Sequence, residues 1–559
     1  MFQKVKRGIV AALAIAMTAT MGGFGLASSA NADDTPAQTG TGTITITGLS
    51  DSSVTVKAYK IIDESVDASN APTSGLTWND AVASWIRGNY SNYSQYIGEN
   101  NTVSKTYQDL TGDSTNDPTS GIDSTTNATT TGDVAEFLDK LAASGTLTKA
   151  QDSASSQEGA DVTLNLPVGG YYIEITSTDG PYVYRAIAAN VLPTQNGGQW
   201  TIAPQTITAK RSKASIDKVV NGDRTDKKIN TGKDNKGQGS DTVSIGDTVT
   251  FDLYTDVPVY PSNAKNKQYL ISDVMNEEQG LTFGEIVKVE ATKDAASDSE
   301  NYTPLAANDA YTLNNPGTDA AGTATTFTLN FNYEKIRAYK KIHVKYTATV
   351  NANAKPGTAM ENDAKLQYSN NPYTNEGYHT EEDKTKVYTF GIKVFKQDES
   401  GKALTGAEFN LADSNNTTLQ FVKLDDGQYR LAKEDEQGAE PTLAVDNNGQ
   451  LNVYGLKGAD ANGNSLTYKL TETKAPDGYV KLTSPISVTL TPQKDSNNDY
   501  TGTLGTTTDA GYVTENVKNQ KSGTLPQTGG IGTIIFSVLG ALMVAGGVLL
   551  IGSRRKKNA

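Results

Sequence analysis

The run TFGIKVFKQDESGKALTGAEFNL, residues 389–411, alternates apolar and polar side chains, breaks at a Ser-Gly turn and then resumes its alternation. Period two on both sides of a glycine turn marks paired β-strands. Ile392, Val394 and Lys396 fall on one face of the first strand, so an amine shares the apolar side. Burying an ammonium is costly unless it is paired or neutralised. The same feature recurs upstream, where SIDKVV sets Ile216, Lys218 and Val220 on one face. Around these two segments lie DTVTFDLYTDVP, YLISDVM, TFTLNF, KKIHVKYTATV and ENDAKLQYS, then GQYRLA, GQLNVYGL, LTYKLTETKAPDGYV and PISVTLTP. All are short alternating runs separated by turn residues, and the economical architecture is an all-β series of two-sheet sandwiches.

The region before residue 210 opens on the strand GTITITG and adds two helical patterns. TWNDAVASWI places Thr77 as a cap with Asp80 three residues on, and GDVAEFLDKLAAS spaces Val134, Phe137, Leu138 and Leu141 at helical intervals. The polar stretch between them, residues 89–131, reads as a long loop or insertion.

With 559 residues the chain is long enough for several cores. Its 49 cations against 63 anions, a net charge of −14, argue against a nucleic-acid partner. There is no cysteine, which removes disulfides, thiolate metal sites and cysteine nucleophiles. The two histidines, His343 and His379, are far apart in sequence, poor material for a catalytic or zinc constellation. No enzyme turnover, metal or cofactor is expected.

The ends carry addresses. Lys4, Lys6 and Arg7 precede an apolar stretch with small residues at Ala30 and Ala32, the layout of a secretory signal over residues 1–32. Near the other end stands LPQTGG, then an uncharged run from Ile531 to Gly552, then Arg554, Arg555, Lys556 and Lys557. The run suffices to cross a hydrocarbon core of ~30 Å as a helix, with the cations held inside. Pro526 and Gly529 keep the backbone before it open to an enzyme.

Leu525, Pro526, Gln527, Thr528 and Gly529, followed by an apolar helix and basic tail, resemble the sorting signal of Gram-positive surface proteins that sortase cuts between Thr528 and Gly529. YKLTETKAPDGY, residues 468–479, resembles the E-box of Gram-positive pilins, and KQDESGKALTGAEFNL the opening of Cna B-type domains. The resemblance implies a sortase-assembled major (shaft) pilin built of tandem immunoglobulin-like or Cna-type β-sandwiches. Its divisions would be a signal peptide (1–32), an N-terminal domain with a few short helices (33–209), a fimbrial isopeptide domain (210–387), a Cna B-type domain (388–521) and the anchor (522–559).

In such domains a lysine forms an amide with an asparagine, assisted by an acid. For the last domain the resemblance implies Lys396 and Asn516, with Asn519 less favoured and Glu472 as the acid. For the middle domain it implies Lys218 and Asn362, with Asp256 as the acid, Asp252 next, and Asp247 and Asp273 behind. Strand alternation turns Asp252 and Asp256 outward, so that assignment requires a bulge near Pro258. The first domain offers no equivalent pair. Shaft pilins carry a polymerising lysine at the junction ahead of the middle domain, usually in a Tyr-Pro-Lys triplet. Here the triplet is Thr-Ala-Lys, which makes Lys210 a match by position, with Lys213 as its competitor.

The implied partners are a class C pilin sortase, a housekeeping sortase, other copies of the chain, accessory pilins, the peptidoglycan cross-bridge and an unspecified host surface ligand. A singly anchored adhesin or minor pilin, binding a host glycan or matrix protein, is the alternative.

Overall fold

The computed structural model describes residues 40–107, 134–221, 239–294, 301–505 and 511–523, apart from single positions, with a few further short pieces. The expected signal peptide, the LPQTG signal, most of the apolar run and the basic tail lie outside the described residues. Among the described residues no helix is long and apolar enough to cross a membrane. Contacts divide the chain into two compact units, one holding residues up to 354 with 359–388 and 494–500, the other 355–358, 389–493 and 501 onward.

The first unit contains two sets of sheets. In the earlier set, Thr41–Thr47 lies between Gln205–Thr208, parallel to it, and Val162–Pro167, antiparallel. Facing it is a sheet in which Ser53–Asp63 pairs with Gly169–Ser177 and Asp152–Gln157, and Gly169–Ser177 with Ile187–Val191. Ile44, Ile46, Val54, Val56, Leu164 and Ile175 fill the space between, each from the apolar parity of its strand. A second core forms under the helices, where Trp78, Tyr96, Tyr107 and Phe137 meet edge to face or tilted.

Both expected helices are present, Asp80–Gly88 and Val134–Ala143, but the first starts later than the sequence reading has it. Thr77 belongs to a short strand, Thr77–Trp78, and the cap is Asn79, whose side chain accepts from Val82 N at 2.9 Å. The stretch read as one loop also begins with helical turns, Tyr90–Tyr93 and Ser94–Tyr96.

The second set of sheets makes a sandwich. One sheet runs Ile216–Val220, Thr248–Asp256, Lys341–Val350, Leu281–Thr292 and Thr303–Pro304; the other runs Ser240–Thr242, His379–Tyr388, Met360–Tyr368, Tyr269–Met275, Phe327–Phe331 and Tyr311–Asn314. Before it begins, Arg211–Ser212 still pairs with Val183–Tyr184 of the earlier set.

The second unit is a smaller sandwich. Phe390–Asp398 lies between Gln450–Leu456, antiparallel, and the final strand Tyr512–Asn519, parallel. The opposing sheet runs Leu443–Ala444, Glu408–Ala412, Leu466–Lys474 and Ile486–Leu490.

Candidate functional site

In the second unit, Lys396 comes inward beside Ile392 and Val394, as the alternation of its strand requires. Its side chain and that of Glu472, from the opposing sheet, are both 0% exposed, with 3.5 Å between Nζ and Oε1. Lys396 Nζ donates to the side-chain oxygen of Asn519 and, at 3.2 Å, to Val517 O. Asn519 Nδ2 donates to both Glu472 oxygens, at 3.0 and 2.9 Å, and to Val480 O at 2.9 Å. Leu482 N donates to Glu472 Oε2 at 2.8 Å and helps hold the carboxyl in place.

The asparagine named from the motif, Asn516, is elsewhere. It sits on the outer face of the final strand, where its oxygen accepts from Gln397 Nε2 at 2.6 Å. The reason is parity: Val517 and Asn519 share the buried side, and Asn516 falls on the other.

The middle-domain site brings Lys218 and Asn362 into one cluster but changes the acid. Lys218 Nζ lies 2.8 Å from Asp273 Oδ2, with both side chains 0% exposed. Tyr346 Oη donates to the same Asp273 oxygen at 2.5 Å and accepts from Asn362 Nδ2 at 3.2 Å. Asp256 instead binds Lys341 Nζ at 2.9 Å and Ser215 Oγ at 2.5 Å. Asp252 binds His343 Nε2 at 2.7 Å and Lys345 Nζ at 3.2 Å, and Asp247 accepts from Ser244 N in a turn.

The bulge that would have turned Asp256 inward does not form. Thr248–Asp256 pairs with Lys341–Val350 in unbroken register, which leaves Val249, Phe251 and Leu253 inside and both aspartates on the far face. Asp273 had a signal of its own, because Tyr269, Ile271, Asp273 and Met275 share one buried parity. Asn362 lies on the penultimate strand of its domain, Met360–Tyr368, rather than on the last. A bond from Lys218 to Asn362 would join the two sheets, whereas Lys396 and Asn519 are neighbours within one.

Both lysines are pushed toward the neutral amine by burial, with Asp273 and Glu472 opposing the shift. Burial likewise raises Asp273 against the pull of Lys218, toward the neutral acid. A neutral amine, a neutral acid and a carboxamide held together are the components of an acid-assisted aminolysis. Two oxygens of the middle cluster, Asp273 Oδ1 and Asn362 Oδ1, have no hydrogen-bond partner among the described residues.

Lys210 and Lys213 flank the short strand Arg211–Ser212, both part-exposed, and Lys210 O accepts from Arg185 N at 3.0 Å.

Comparison with known proteins agrees with this architecture. Residues 245–372 match the Gram-positive pilin backbone subunit 2, Cna-B-like domain; residues 390–504 match the prealbumin-like fold domain; residues 517–559 match the LPXTG cell wall anchor motif. Those matches define a backbone pilin subunit of the Gram-positive type, carried on the surface by a cell-wall anchor. Among named proteins, the chain is similar to the trypsin-resistant surface T6 protein of Streptococcus pyogenes serotype M6, at 27% identity over 63% of this chain and 71% of that one. Its fold is similar to that of the T6 backbone pilin of serotype M6 Streptococcus pyogenes, with a TM-score of 0.51 and 21% identity, covering 89% of this chain and all of that one. The full-length major pilin SpaD of Corynebacterium diphtheriae aligns over 89% of this chain and all of its own, with a TM-score of 0.46 and 17% identity.

Proposed function

We propose that this chain is the shaft subunit of a covalent pilus, and that two of its domains close themselves with an amide between a buried lysine and an asparagine. The observation that carries the second part is the seclusion of Lys396, Glu472 and Asn519 together, each at most 2% exposed. Folding brings the amine to the carboxamide, the step that otherwise makes amidation slow. The amine attacks the Asn519 side-chain carbonyl, Glu472 passes the proton, and ammonia leaves. The same chemistry joins Lys218 to Asn362 with Asp273 as the acid. No turnover follows, because the product is the cross-link itself.

The experiment that tests this assignment is intact-mass and peptide mapping of the mature ectodomain. Each amide removes one ammonia, about 17 Da, as condensation requires. Asn519→Ala is expected to leave the C-terminal domain uncondensed, while Asn516→Ala keeps the wild-type mass deficit. A branched peptide at Asn516 would overturn the assignment.

Assembly rests on the LPQTG signal. A class C pilin sortase would hold Thr528 as a thioester, and the Lys210 amine of another copy would displace the sortase thiol to form an amide. Repetition of that head-to-tail contact gives an open filament. A housekeeping sortase would transfer the chain to the peptidoglycan cross-bridge, and accessory pilins would join through the same chemistry. Lys210→Ala is expected to abolish the high-mass ladder of surface extracts on denaturing gels, with monomer retained. A persisting ladder would move the role to Lys213 or make the chain a singly anchored subunit.

A further inference from the structure

The two clusters differ in one respect that follows from side-chain length. Glu472 reaches Asn519 Nδ2 with both of its oxygens, at 3.0 and 2.9 Å, and lies 3.5 Å from the Lys396 amine, so one carboxyl touches both reacting nitrogens. Asp273 is one methylene shorter. It contacts the Lys218 amine at 2.8 Å, but its hydrogen-bond partners among the described residues are Lys218 and Tyr346, not Asn362. The Tyr346 hydroxyl spans the gap, 2.5 Å from Asp273 Oδ2 on one side and 3.2 Å from Asn362 Nδ2 on the other.

We propose that Tyr346 is a catalytic residue of the middle domain, relaying a proton from Asp273 to the departing nitrogen of Asn362. The proposal rests on the Lys218–Asn362 amide reading and adds a group that acts on the leaving atom. The Lys218 Nζ–Asn362 Cγ bond forms first as the Cγ–Oδ1 π pair moves onto Oδ1, which turns Nδ2 pyramidal and frees its lone pair. Tyr346 Oη, until then an acceptor from Nδ2, reverses and gives it a proton. Tyr346 recovers a proton from the acid form of Asp273, and Asp273 recovers one from the now cationic Nζ. Oδ1 returns its electron pair to re-form the carbonyl, the Cγ–Nδ2 bond breaks, ammonia leaves, and both Asp273 and Tyr346 end as they began. One proton travels from nucleophile to leaving group, and no other reactant enters.

The phenol is built into this position. Ile342, Val344, Tyr346, Ala348 and Val350 form the inward parity of their strand, all 0% exposed. The ring stacks on Phe251 at 5.3 Å and meets Phe327 edge to face at 5.0 Å. The Lys218 amine lies 5.3 and 5.8 Å from the Phe251 and Tyr346 ring centres. Burial holds the hydroxyl far above the usual tyrosine range, so it stays protonated until the leaving nitrogen becomes basic. A buried tyrosine hydroxyl takes some polar partner as a rule. Here both partners belong to the reacting set.

The test uses the mature ectodomain, expressed in a short pulse and sampled over time by intact mass and peptide mapping. Tyr346→Phe keeps the ring and removes the oxygen. The relay predicts that its middle-domain amide forms about 100-fold more slowly, the usual contribution of a positioned proton donor, while the Lys396–Asn519 amide keeps its wild-type pace. A companion pair separates chemistry from packing: Lys218→Ala alone and Lys218→Ala with Tyr346→Phe, both unable to condense, should melt together. Wild-type kinetics in Tyr346→Phe would overturn the relay and leave the amide reading intact, as would a double variant that melts well below the single one. A wild-type protein with no middle-domain amide would overturn both.

Discussion

Lys396→Met is expected to leave the mature ectodomain heavier than the doubly condensed protein, relative to its sequence mass, by one ammonia, and to lower the melting temperature of the C-terminal domain by on the order of 15–20 °C. The magnitude comes from loop closure. The proposed cross-link would join positions 123 residues apart, and removing a closure of that size frees about 5 kcal/mol of unfolded-state entropy by the relation used for disulfides. Methionine nearly matches lysine in volume, so the loss is not that of a cavity. Protease resistance should fall with it, because a domain with its first and last strands joined cannot separate them to expose a cleavable edge. The two strands are parallel neighbours, from Gly391 beside Tyr512 to Asp398 beside Asn519. Force applied between the ends of that domain would otherwise pull on their hydrogen bonds alone. Unchanged melting and proteolysis in Lys396→Met would remove the mechanical role.

The second large effect is expected from Asp273→Asn. The change preserves shape and removes the carboxyl that meets the Lys218 amine at 2.8 Å, so the middle-domain amide should fail to form, with one ammonia retained and Asn362 recovered unmodified on mapping. The loop concerned is roughly 140 residues, again about 5 kcal/mol of closure entropy. The matching substitution Asp256→Asn should condense fully, since Asp256 serves Lys341 and Ser215 on the far side of the sheet. Any stability it loses belongs to that largely buried pair, 8% and 23% exposed, and not to the amide. The reverse result, with Asp256→Asn blocking the amide and Asp273→Asn permitting it, would refute the site as described.

Under the proposed chemistry, the two sites would fit one reaction to different geometries. In the C-terminal domain nucleophile and electrophile lie on adjacent strands of one sheet, and a glutamate from the other sheet reaches over both. In the middle domain the nucleophile lies in one sheet while the acid and the asparagine lie in the other. Phe251 and Tyr346 come from the lysine's sheet, with ring centres 5.3 and 5.8 Å from its amine, and burial pushes that amine toward its neutral form.

Much of this was legible from residue order alone. Alternation located the strands, and it also placed Lys218 and Lys396 on buried faces, because a strand has no choice but to send successive side chains to opposite sides, while Asn362 followed from the family resemblance. Applied with equal strictness, the same rule selects Asn519, which shares parity with Val517, over Asn516. It also selects Asp273, which shares parity with Tyr269 and Ile271, over Asp256. Motif position outweighed parity in both cases, and the fold follows parity. The cap at Asn79 was misread for a related reason, since Thr77 was needed by a strand.

What residue order determined, then, was the strand-and-turn grammar, the anchor signal and the presence of buried amines, all set by interactions between near neighbours in the chain. Which carboxyl meets which amine, and that Tyr346 stands between Asp273 and Asn362, was decided only when strands distant in sequence packed face to face. Hydrogen bonds act over about 3 Å, and contacts of that range between the two sheets of a sandwich depend on the register and twist of every strand around them.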